Sequence, residues 1–130
     1  MRIFKTKWFA RYARREQIKD RSLREAVLRA EQGLVDADLG GNIIKQRMAR
    51  TGQRRSGGYR TLVAFRSKAR AVFLYGFAKS ERDNIDRDEL ATLREIASAW
   101  LAADTDQIER AIAEGALQEI EPWPRRLKPV

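Results

Sequence analysis

The chain contains no cysteine and no histidine. The first absence excludes disulfides, thiolate zinc sites and thiol nucleophiles. The second removes the commonest general base and the commonest metal ligand. Any catalysis must therefore use Lys, Arg, Tyr, Ser or carboxylates, and neither a metal nor another cofactor is expected. No stretch approaches the roughly 20 apolar residues of a membrane span. The opening MRIFKTKWFARYARRE lacks the apolar run of a signal peptide, so a cytoplasmic location without a membrane partner is the expectation. All three prolines fall in the final EPWPRRLKPV, which reads as an extended or disordered tail over 122–130. The most informative absence is acid. Residues 39–80 hold ten Lys and Arg and not one Asp or Glu.

What is present fits one domain. The chain has 130 residues, 43% apolar and 35% charged, with a net charge of +9. The charge is unevenly spread. Residues 1–38 carry +4, residues 39–80 carry +10, residues 81–121 carry −8 and the tail carries +3. A surface charged only for solubility would not leave 42 consecutive residues free of carboxylate in a chain that has 18. A polyanion is the natural partner of the middle segment.

The pattern of apolar residues orders the elements. RIFK (2–5) suits a short strand. Trp8, Phe9, Tyr12 and Ala13 repeat at helical spacing after Thr6, a candidate N-cap. Leu23, Ala26, Val27, Ala30 and Leu34 make a second helical stripe, with Ser22 at its start and Gly33 at its end. VDADLGGN (35–42) is turn chemistry. Three strand-like runs follow: IIKQRMA (43–49), YRTLVAF (59–65) and AVFLYGFA (71–78). The last is apolar on both faces and suits a sheet centre. Residues 81–121 return to helix, beginning with a capping-box-like Asp86 and Glu89 and the stripe Leu90, Leu93, Ile96, Ala97, Trp100, Leu101. The order predicts an α+β domain: an antiparallel-dominated sheet, two N-terminal helices on one face and a C-terminal helical extension. The division is a core over 1–85, a helical extension over 86–121 packed on it, and the tail. In such a domain the second sheet face is expected to be open to a partner.

RTGQRRSGGYR (50–60) then becomes the link between two neighbouring strands. Arg50, Arg54 and Arg55 offer forked donors that match phosphate oxygens. Gly57 and Gly58 permit close approach of backbone N–H groups to a phosphate. Tyr59 is a candidate base-stacking ring. Lys45 and Arg47, two apart, share a sheet face, and strand register decides whether Arg60 joins them. Lys79 closes the third run and, beside other cations, is a candidate proton donor or acceptor.

The strand-helix-helix-strands order, the K-x-R of Lys45 and Arg47, the G-Y-R of Gly58, Tyr59 and Arg60, and FAKSERDNI after the last run resemble the RelE/ParE superfamily of bacterial type II toxins. The basic, glycine-bearing IIKQRMARTGQRRSGGYRTLVAF resembles its HigB-like branch. The resemblance implies a toxin that cleaves mRNA on the ribosome by attack of the ribose 2′-OH on the scissile phosphate, without a metal. It implies Arg60 as phosphate and transition-state stabiliser, Lys45 and Arg47 as the paired basic positions before it, and Lys79 as the basic position after the last strand. It also implies a cognate antitoxin, expected to be of helix-turn-helix type, and operator DNA reached through the antitoxin complex. Two positions depart from the compact ribonucleases. Ser80 stands where they have a second arginine, and residues 81–86 lack their base-stacking tyrosine. A gyrase inhibitor of the ParE type and a non-catalytic RNA- or DNA-binding module are the alternatives. The first needs no phosphate-binding cluster on the sheet, and the second needs no convergence of the four cations.

Overall fold

Thr6 ends a strand and caps a helix at once. Its hydroxyl accepts the Phe9 N–H at 3.2 Å, and the chain turns from β1 (Arg2–Thr6) into α1 (Lys7–Arg15) without a loop. The second helix, α2 (Asp20–Glu31), starts two residues before the expected Ser22. Asp20 sits in its first turn, where a carboxylate is favoured by the helix dipole, and takes a 2.8 Å ion pair from Lys5 on β1.

The computed structural model describes residues 1–48, 58–82 and 84–121. After α2 the chain runs through β2 (Ala37–Asp38), β3 (Ile43–Met48), β4 (Tyr59–Arg66), β5 (Arg70–Ala78), α3 (Arg87–Ala102), α4 (Thr105–Ala113) and β6 (Leu117–Ile120). The six strands form one sheet in the order β2-β3-β4-β5-β1-β6. Only β1 and β5 run parallel; the other pairs are antiparallel. The α+β class with two N-terminal helices on one face is what the structure has.

Two expectations need correction. The second sheet face is not open. Ile3, Ile44, Val63 and Phe73 pack under α1 and α2, while Phe4, Ile43, Leu62 and Val72 pack with Ala97 and Leu101 of α3 and Ile108 of α4. The doubly apolar β5 already required a cover on both sides. The region after residue 81 is also not all helix. β2 and β6 add short edge strands that alternation cannot reveal, and β6 pairs antiparallel with β1 through Ile3–Ile120 to Thr6–Leu117.

The anticipated capping box is present. Asp86 accepts the Glu89 N–H at 2.8 Å, and the Glu89 carboxylate accepts the Asp86 N–H at 3.1 Å. The far end of α3 has no basic residue in its last turn. Arginines of the β4–β5 hairpin replace it. Arg70 donates to the carbonyls of Trp100 and Ala103 at 2.7 and 2.8 Å, and Arg66 donates to that of Leu101 at 3.4 Å. The RSKAR link (66–70) thus anchors the helix as well as turning the chain. Arg70 has its pKa pulled down, chiefly by burial and then by Arg2 and Arg66.

Gly76 in β5 lies directly beneath α1. A Cβ there would stand 2.6 Å from Cε2 of Tyr12 and 3.3 Å from Cε1 of Phe9. Both rings are buried, so neither has room to retreat. Gly76→Ala is expected to destabilise the fold by about 1–3 kcal/mol, the scale of core overpacking. A thermal melt unchanged from wild type would contradict that packing.

Candidate nucleic-acid interface

Strand register answers the question about Arg60. Arg47 on β3 and Arg60 on β4 are direct cross-strand partners, and so are Lys45 and Leu62. Cross-strand partners share a face. Lys45, Arg47 and Arg60 therefore lie on the α3 side of the sheet with Ile43 and Leu62. Arg60 is 5% exposed, and its Nη1 donates to the Tyr59 carbonyl at 3.4 Å. Arg47 is more open, and its backbone carbonyl accepts from Arg29 of α2 at 2.8 Å.

The other candidates fall in different places. Lys79 follows β5 immediately and has an exposed side chain. Its N–H donates to the Gly58 carbonyl at 3.0 Å, so both residues sit at the Arg60 end of the sheet. Tyr59 is not brought to the cluster. Alternation turns it to the opposite face, where it is buried under α1 and its hydroxyl donates to Glu16 at 3.0 Å. A base cannot stack on it there. Arg50, Arg54, Arg55 and Gly57 lie outside the described residues.

Two groups near the cluster escape sequence reasoning. Asp36, just ahead of β2, has Oδ1 at 2.6 Å from Nε of Arg47 and Oδ2 at 3.9 Å from Nε of Arg60. It belongs to no periodic pattern, and only its place before the acid-free stretch marks it. Arg82 lies over the ring of Phe77, with its guanidinium carbon 5.6 Å from the ring centre. Phe77 is itself the cross-strand partner of Arg60. Glu89 holds Arg82 by two contacts, 2.7 and 3.3 Å, and Arg82 Nε donates to the Asn84 carbonyl at 2.8 Å.

The hydrogen bond from Arg82, and then that from the Asp86 N–H, hold the Glu89 carboxyl down from 4.5 to about 2. A depressed carboxyl contributes stability above its unfolded value and loses it as pH falls through the folded one. The Arg82 clamp and the α3 capping box should therefore persist at pH 4 and weaken only as pH approaches 2. Carbon-13 NMR titration of Glu89 checks this, and a midpoint near 4.5 would mean that the clamp does not form.

Among the described residues, no group of three or more His, Cys, Asp or Glu is placed to hold a metal ion. No helix among them is long and apolar enough to cross a membrane. Fold and cluster together define a class: a small α+β protein that sets arginine and lysine from adjacent strands at one end of a mostly antiparallel sheet. Within that class, a family model described as the RelE toxin of the RelE/RelB toxin–antitoxin system matches residues 1–120. The chain belongs to the RelE toxin family. Comparison with curated protein sequences gave no match. The family's general role is ribosome-dependent mRNA cleavage, and a RelB-type antitoxin is the partner that the family implies.

Proposed function

We propose that this RelE-family protein is a ribosome-dependent mRNA endoribonuclease, held inactive by its antitoxin and acting in the cytoplasm where ribosomes are. The observation that carries the reading is the cross-strand pairing of Arg47 with Arg60, with Lys45 on the same sheet face. Among the described residues, two arginines and a lysine face a single nearby carboxylate, Asp36, so the cluster keeps a positive excess that suits an added anion. A scissile phosphate is such an anion.

In the proposed reaction the ribose 2′-oxygen attacks the adjacent phosphorus and gives up its proton. The P–O5′ bond breaks, the 5′-oxygen takes up a proton, and a 2′,3′-cyclic phosphate remains. Charge builds on the non-bridging oxygens of the phosphorane. Arg60, set in a strand and almost wholly buried, is the donor aimed at that charge. Arg47 and Lys45 hold the flanking phosphate. Lys79, exposed at the end of β5, is the proposed proton carrier. Arg50, Arg54, Arg55 and the Gly57–Gly58 backbone are proposed to track the mRNA strand. That basic, glycine-bearing stretch is also the ground for a HigB-like assignment within the family.

The test is cleavage of a short mRNA on programmed ribosomes by the purified protein. Cleavage of wild type, with product ends that are cyclic phosphates, is the expected result. Growth arrest in cells without cleavage in this assay would overturn the reading and favour a gyrase inhibitor on the same fold.

A further inference from the structure

Asp36 is held in place with more care than a loop carboxylate needs. Its N–H donates to the Lys45 carbonyl at 3.0 Å and to Oε1 of Gln46 at 3.1 Å. Gln46 is 2% exposed, and its Nε2 donates in turn to the carbonyls of Ala26 and Leu34 at 2.9 and 3.1 Å. A buried glutamine with satisfied hydrogen bonds thus fixes the middle of α2, the loop after it and the Asp36 backbone relative to β3. From that anchor the Asp36 side chain reaches the arginine pair, and the contact is shielded. The side chains of Asp36 and Arg60 are 13% and 6% exposed, against 52% for Arg47.

We infer that Asp36 is a positioning residue for the phosphate site, which rests on the nuclease reading above. Like charges directly opposite on neighbouring strands push apart. A carboxylate beside both offsets that repulsion, holds Arg47 by a hydrogen bond and draws the Arg60 guanidinium toward the same side before any phosphate arrives. The asymmetry of the contacts suits this role. Arg47 is gripped at hydrogen-bond distance, whereas Arg60 Nε stands 3.9 Å away, close enough to be attracted but beyond hydrogen-bond reach of Asp36. The carboxylate also makes the site less cationic, so it restrains indiscriminate RNA binding while it organises the donors.

Asp36→Asn keeps the shape and removes the charge. Single-turnover cleavage on programmed ribosomes should fall by about 10²-fold, the scale for a misplacement near 1 Å at a reacting centre. Ribosome binding should be unchanged or tighter, because one negative charge has gone. A purely structural role would instead lower rate and binding together, in step with the melting temperature. Asp36→Glu, which retains the charge, should recover part of the rate. The second readout needs no activity: in nitrogen-15 spectra the Nε–H signals of Arg47 and Arg60 should be resolved in wild type and should shift and average in Asp36→Asn. Wild-type cleavage by Asp36→Asn, or Nε–H signals that do not move, would overturn the inference. Failure of wild type itself to cleave would sink the nuclease reading alone. The Nε–H spectra would then still decide whether Asp36 organises the arginine pair.

Discussion

Replacing Arg60 with alanine is expected to lower the rate of mRNA cleavage by about 10²–10³, equivalent to about 2.7–4 kcal/mol of transition-state stabilisation. The size follows from where the side chain is. Arg60 lies in a strand paired on both sides, opposite Arg47 on β3 and Phe77 on β5. Its guanidinium is shielded from water, so its attraction to developing charge is little screened. A donor on a loop would have to be ordered at the moment of reaction, and this one is not. Arg60→Lys should restore little, since an ammonium carries the charge but not the two-pronged geometry. The fold should survive the alanine change, because Asp36 still has Arg47 at 2.6 Å. Single-turnover kinetics on programmed ribosomes, beside a thermal melt, separate the two effects. A variant that cleaves at the wild-type rate would place the nuclease site elsewhere. A variant that has lost its melting transition would make the rate uninformative, and Arg60→Lys would then carry the test.

The sheet's three central antiparallel strands were legible because each is a strand-forming run of six residues or more set off by turn-forming or basic stretches. β3 sets Lys45 and Arg47 opposite Ile44, Gln46 and Met48, β4 is rich in aromatic and β-branched residues, and β5 is apolar from Ala71 to Ala78. The starts of α1 and α3 were legible because Thr6 and the Asp86–Glu89 pair are local chemistry, settled within four residues. The site was legible only in part. That Lys45 and Arg47 share a face follows from spacing, but whether Arg60 joins them depends on register, which a long basic link does not fix. Tyr59 shows the other side of the same rule: next to Arg60 in sequence, it must point to the other face, whatever family it resembles. Asp36 was invisible because its role depends on a loop brought alongside β3 by a buried Gln46. Nothing in VDADLGGN distinguishes Asp36 from Asp38, whose carboxylate caps the turn at the Gly40 N–H instead.

The C-terminal strand is the clearest case of a signal that the sequence hides, and it carries the second large prediction. In LQEI the apolar residues stand at 117 and 120, a helical spacing. As a strand, the same spacing puts them on opposite faces: Leu117 in the cluster with α3 and α4, Ile120 in the cluster with α1 and α2. Both are essentially fully buried. Their neighbour Glu119 takes a two-pronged ion pair from Arg2 of β1, Nε and Nη2 each at 2.8 Å, and these hydrogen bonds hold its carboxyl below the usual range. β6 therefore seals both cores at the β1 edge. Leu117→Ala and Ile120→Ala should each cost about 2–5 kcal/mol. Ending the chain at Ala116 removes both side chains, the pairing with β1 and the Arg2 partner together. That loss is comparable to the whole stability of an ordinary domain, about 5–15 kcal/mol. The shortened chain is expected to lose cooperative unfolding, although every candidate phosphate-binding residue is still present. Circular dichroism melts of the three variants check this. A truncated chain that melts like wild type would make the segment after Ala116 an appendage to the RelE core, and β6 a decoration on its edge.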